Sequence, residues 1–122
     1  MFSRLLAPRL LVRAEGAVVG AGATLAYALQ GRSFLLFAAL ILAPDLAMVG
    51  YLHSARVGAA TYNAVHTYVG PLALGAGGLV TATPLAVGVA LVWTAHIGAD
   101  RLFGYGLKYA DHEFGETHIQ EL

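Results

Sequence analysis

The chain has 122 residues, 58% hydrophobic and 11% charged, and its formal net charge is zero. A soluble domain carries about a quarter charged residues, so this composition excludes an ordinary water-exposed globule, and the charge balance gives no footprint for nucleic acid. With no cysteine there is neither a disulfide framework nor a thiolate metal site.

The N-terminal stretch MFSRLLAPRLLVRAEGAVVGAGATLAYALQ has a basic start and then an apolar run. No A-x-A-like exit follows it, so it reads as a retained first membrane helix rather than a leader. A span needs about 20 mainly apolar residues. Four segments qualify, at about 14–30, 33–52, 57–80 and 85–104, joined by the short links QGR, HSAR and TATP. Short links favour antiparallel neighbours, and open sheet edges cannot be satisfied in lipid. The predicted fold is therefore all-α: a single integral-membrane, up-down four-helix bundle over 1–122, with a polar tail at 110–122. Pro44 and Pro71 fall inside the second and third segments and should kink them. Glycines on the first and third segments suit close helix packing.

Arg4, Arg9, Arg13, Arg56, Arg101 and Lys108 fall on one side of such a bundle, and Arg32 alone on the other. The positive-inside rule puts both termini in the cytoplasm, and the small size suits a bacterial inner membrane. The lipid bilayer is the expected partner, together with a second copy of the chain. FGYG, at the exit of the last span, has no pore loop to make it an ion filter. GAGATLA follows no strand, so it is no phosphate-binding loop.

Polar groups inside spans are costly and point to function. Glu15 opens the first span, and Asp45 follows Pro44 in the second. Asn63 and His66 lie one turn apart on the third, His96 and Asp100 one turn apart on the fourth. At about 1.5 Å per residue, all six fall in the cytoplasmic half, from the interface at Glu15 to about 13 Å deep at His66. Imidazole and carboxylate are ligands for zinc, iron and manganese. Carboxylate-bridged bundles use a comparable helix-by-helix supply of ligands, an analogy of arrangement and not a motif match.

Each residue also has a plain structural reading. His66 or His96 can hydrogen-bond a neighbouring helix, Glu15 can sit beside Arg13, and Asp100 can pair with Arg101. The set as a whole reads as a metal site with Asp45, His66, His96, Asp100 and Glu15 as ligands, and with Asn63, Arg101, Tyr105 and Lys108 around it. A hydrolase or redox enzyme holding a divalent metal is the first functional reading. A bis-histidine haem on His66 and His96 is a variant of it. A proton or ion transporter is the second reading, and a structural or partner-binding membrane protein the third.

Several ordered stretches carry a resemblance. They are Arg13-x-Glu15-Gly16, Pro44-Asp45-Leu46 with Met48 and Gly50-Tyr51, and Tyr62-Asn63-x-x-His66-Thr67-Tyr68 with Pro71. His96-Ile97-Gly98-x-Asp100-Arg101, Gly104-Tyr-Gly-Leu-Lys-Tyr109 and Thr117-His118 follow. On these the chain resembles the domain-of-unknown-function family 4260 of small bacterial four-span membrane proteins. The resemblance implies the fold and no particular activity. It adds weight to Tyr105, Lys108, Tyr109 and His118, and Ala47 departs from the hydroxyl residue it would lead one to expect. A fainter likeness runs to membrane-bound metal-dependent hydrolases.

Overall fold

The computed structural model describes residues 7–107. Lys108, Tyr109, His118 and the tail expected at 110–122 lie outside the described residues. Within them the chain is all helical: α1 (Pro8–Leu29), α2 (Phe34–Leu40), a 3₁₀ helix (Ala43–Leu52), α3 (Ala55–His66), α4 (Val69–Val80) and α5 (Pro84–Phe103).

The boundaries follow from local chemistry. Pro8 and Pro84 stand at the first positions of α1 and α5, where a missing N–H costs nothing. Ser33 Oγ accepts from the Leu35 and Leu36 amides at 3.1 and 3.4 Å, and Ser54 Oγ from Val57 at 3.0 Å, the usual serine N-caps. Gly104, with φ +94°, ends α5. The Gly104 amide donates to Arg101 O at 3.1 Å and the Tyr105 amide to Asp100 O at 2.7 Å. These two bonds make a Schellman motif, so FGYG is a helix stop.

Three helical stretches are long and apolar enough to cross a membrane: Pro8–Leu29, Phe34–Leu52 and Pro84–Phe103. Two of the four segments expected as spans, those expected to kink at Pro44 and Pro71, are broken rather than kinked. The segment at 57–80 is two twelve-residue helices, α3 and α4, because Thr67 is extended (φ −99°, ψ 152°). Pro71 lacks the amide that a continuous helix would need to bond the Thr67 carbonyl. The second segment is interrupted too. It leaves α-helix after Leu40 and resumes as 3₁₀ at Ala43, with Pro44 four residues beyond Leu40.

α5 is the central element. Ala90, Val92, Ala95, His96, Ile97, Gly98 and Arg101 on it are all buried. α1 runs antiparallel to it, Gly16 lying against Arg101 and Gly98, and Gly20 against Gly98 and Ala99. α4 is also antiparallel to α5, with Gly70 against Trp93 and Gly78 against Ala86 and Val87. The 3₁₀ helix and α3 form a separate antiparallel hairpin in which Gly58 faces Tyr51 and Thr61 Oγ1 donates to Ala47 O at 2.8 Å. Val18, Leu29, Leu35, Leu52, Leu79 and Val80 point outward, an apolar exterior of the kind that lipid covers.

The α1–α5 crossing leaves no room for a side chain. A Cβ on Gly98 would stand 2.5 Å from the Gly20 nitrogen and 2.8 Å from Gly16 O. Both obstacles are backbone, so the helices themselves must separate. Gly98→Ala is expected to lower stability by about 1–3 kcal/mol, as overpacking does, seen as a reduced unfolding temperature in detergent. Gly77→Ala meets nothing within 4 Å and should leave stability unchanged or raise it.

Candidate metal centre

The two helix interruptions meet at one level of the molecule, and four side chains converge there. Beyond the first interruption the Asp45 amide donates to Leu42 O at 3.1 Å. In an α-helix it would have taken Ile41 O. The Ile41 carbonyl is thereby left for another donor, and His96 Nδ1 on α5 takes it. At the second interruption His66 is the last residue of α3, and its Nδ1 donates to Tyr62 O at 2.9 Å.

A carbonyl only accepts, so both imidazole protons sit on Nδ1. In the neutral rings each Nε2 is then a bare lone pair. The two Nε2 atoms are 3.1 Å apart. Asp45 Oδ1 stands 3.1 Å from each of them. Asp100 Oδ2 stands 3.4 Å from His66 Nε2 and 3.2 Å from His96 Nε2. One ligand atom from each of the four residues falls within 4.8 Å of all the others.

Four acceptors this close repel one another unless a proton or a metal cation lies between them. Metal–ligand bonds of about 2.0–2.1 Å place tetrahedral ligand atoms about 3.3 Å apart, which matches the His–His and His–Asp spacings of 3.1–3.4 Å, while the set as a whole extends to 4.8 Å. An N₂O₂ set of imidazole and carboxylate suits zinc, iron or manganese. The carbonyl bonds at Nδ1 fix tautomer and ring orientation, the usual outer support of a metal-bound histidine. The same geometry argues against the haem variant, since axial histidines must stand on opposite faces of a macrocycle. Here their Nε2 atoms nearly touch and share their space with two carboxylates.

The surroundings hold the ligands rigidly. His66 and His96 are 0% and 4% exposed. The Tyr62 ring stacks on the His66 imidazole with centroids 3.7 Å apart and planes 7° from parallel. Buried Arg101 donates through Nη2 to His66 O at 2.8 Å and through Nη1 to Tyr105 O at 3.3 Å. Its guanidinium lies 5.9 Å from the centroid of the Tyr68 ring. A cation on the terminal carbonyl of α3 satisfies a group the helix cannot bond itself and complements its dipole. Trp93 Nε1 donates to Val65 O at 2.6 Å, a second tie between α5 and the end of α3. The Asp side chains are the accessible part of the cluster, 42% exposed for Asp45 and 19% for Asp100.

Of the residues singled out in the sequence, the structure brings together Asp45, His66, His96 and Asp100. Glu15 is exposed on α1 and is not a member of the cluster. Equal depth says nothing about direction around a helix. Gly16 faces α5, and its neighbour Glu15 lies about 100° further round. Asn63 is half-buried on α3, three residues before His66. Arg101 reaches the cluster through the His66 carbonyl, and its charge also acts on Asp100. Tyr105 contributes its main-chain oxygen while its side chain is exposed. Lys108 lies outside the described residues. Three supports were not singled out as such: Tyr62, the Ile41 carbonyl and Trp93. Tyr62 could have been found by its spacing of four from His66. The Ile41 carbonyl has no side-chain signature at all.

The family model described as Domain of unknown function (DUF4260) matches residues 9–122. Neither the curated proteins nor the solved structures include a match to this chain.

Arg101 holds the loose end of α3 by a charge-assisted hydrogen bond, a class worth about 1.5–3 kcal/mol. Arg101→Gln is expected to lose that amount of stability, measured by thermal unfolding in detergent. Arg13 bonds Leu102 O from an exposed position, and Arg13→Gln should cost well under half as much.

Proposed function

The chain belongs to the DUF4260 family, and from the cluster just described we propose that it is an integral-membrane metalloprotein. Asp45, His66, His96 and Asp100 hold one divalent transition metal, zinc, iron or manganese. The observation that carries this reading is the convergence of two bare Nε2 lone pairs and two carboxylate oxygens, with both imidazole protons committed to carbonyls.

The chemistry follows from the donor set. Such an ion would supply a Lewis acid that activates water or polarises a substrate oxygen, or a redox centre if it is iron or manganese. The chain's own residues divide the remaining work. The histidines anchor from the buried side, and Asp45 borders the accessible side, where a water or substrate oxygen arrives. Asn63 is placed one turn before His66 to orient such a group. The reaction class is a hydrolytic or redox step at the cytoplasmic half of the bilayer. In this reading α3 and α4 together make a fourth, interrupted crossing. The Lys and Arg bias then sets both termini in the cytoplasm of a bacterial inner membrane.

A second reading keeps the metal and drops the chemistry. The hairpin of the 3₁₀ helix and α3 meets α5 at the cluster, through the His–Asp contacts, Arg101 and Trp93. A metal there would clasp two parts of the fold together.

Purified protein is expected to carry one equivalent of metal per chain, and His66→Ala/His96→Ala none, by elemental analysis. At free metal about 1,000 times Kd, binding adds about 4 kcal/mol. Chelation should therefore lower the unfolding temperature of the wild type and leave that of the double variant unchanged. Equal, substoichiometric metal in both proteins would overturn the reading.

A further inference from the structure

A cleft of about 230 Å³ is lined by residues that neighbour the cluster along the chain. On α5 it is lined by Val89, Val92 and Trp93. With His96 and Asp100 these residues form one stripe of helical spacing, so the cleft continues the face that carries two of the ligands. Leu40, Ala43 and Pro44 line it from the interrupted second segment. They flank Ile41, which holds His96, and Asp45, which is itself a ligand. Val65, the residue before His66, completes it from α3. Every wall thus passes, within one helical turn, into the cluster.

The cleft offers an occupant no hydrogen bond from a side chain. Six of its seven lining residues are aliphatic or proline, and the one polar atom on a lining side chain, Trp93 Nε1, is already given to Val65 O. The volume is below the roughly 300–1,000 Å³ of pockets that take drug-sized molecules, and it suits a single narrow chain. One helical turn beyond its α5 wall, and one residue beyond Pro44 and Val65, come four oxygen- and nitrogen-bearing side chains of which Asp45 is the most accessible. A hydrocarbon alone would leave the cluster unused, and a fully polar molecule would leave the cleft unfilled.

The geometry points to a single-chain amphiphile as the ligand of this site, with its hydrocarbon tail in the Leu40–Trp93 cleft and an oxygen headgroup at the His–Asp cluster. This rests on the metal reading of the cluster and adds the substrate class. The surrounding bilayer is the natural source of such molecules. The headgroup chemistry is that of a carboxylate, ester or alcohol, the oxygen donors that a metal with imidazole and carboxylate ligands accepts.

The chain carries its own reporter, because its one tryptophan is Trp93 in the cleft wall. The test uses the full-length chain in phosphatidylcholine nanodiscs, loaded with zinc, and ω-bromodecanoate as the probe. A bromine on the buried end of the tail quenches Trp93 on contact. Quenching is expected to saturate, to need about tenfold more probe after the zinc is chelated, and to lose saturation in Val89→Phe, which fills the cleft. Zinc content should be unchanged in that variant. Ala43→Leu, blocking the opposite wall, repeats the measurement should Val89→Phe not fold. Quenching that rises without saturation while zinc is bound overturns the inference and leaves the metal reading standing. Saturation in both blocked variants overturns it as well. Saturable quenching in a protein that binds no zinc overturns the headgroup assignment together with the metal reading.

Discussion

Each buried imidazole at the centre of this fold gives its ring proton to a main-chain carbonyl, His66 to Tyr62 and His96 to Ile41. A neutral histidine has one proton and one lone pair, so the carbonyl decides where the lone pair goes. The two carbonyls stand so that both lone pairs aim at the same small volume, which two aspartates also enter. Moving either carbonyl would turn a ring, and the cluster would dissolve into two unrelated polar contacts. The clustered side chains are thus held by the backbone at least as much as by packing.

That backbone is available only because two helices are interrupted. In an intact helix the Ile41 and His66 carbonyls would be consumed by amides four residues on. Pro44 and Pro71 remove that possibility nearby, and the chain leaves α-helix geometry just before each. Irregular backbone buried away from water is tolerated where protein groups take up the exposed carbonyls. His96 and Arg101 on α5 do so here. The interruptions and the cluster therefore account for each other: the freed carbonyls need donors, and taking up the Ile41 carbonyl orients the His96 ring. The glycine contact between α1 and α5 has a supporting part, since it sets how deeply α5 sits among its neighbours.

Much of this was legible in the sequence, and the limits were physical. Helix class, the apolar exterior and the glycine packing follow from composition and spacing. Asp45, His66, His96 and Asp100 could be picked out because charge in a span is costly and two of them share a face. Glu15 looked equivalent because depth was measured along the axis and direction around it was not. The prolines predicted kinks. The size of the breaks depended on whether distant residues could supply donors, and that is a tertiary property. The Ile41 carbonyl was invisible for the same reason, because every residue has a carbonyl and only the fold says which one is free. Arg101 drew attention as a charge beside Asp100, yet what it holds is a carbonyl at the end of another helix.

The two twelve-residue helices carry a consequence for how the chain is made. Each is about 18 Å long against a hydrocarbon core of about 30 Å, so neither crosses a bilayer by itself. They are synthesised before α5, which supplies His96, Asp100, Trp93 and Arg101, the partners that tie down the end of α3. Until that last helix emerges, the middle of the chain has freed carbonyls and a buried histidine with no donors or ligands from α5 to meet. The His–Asp cluster is complete only once α5 is present, and a chain ending before Pro84 lacks two of its four side chains.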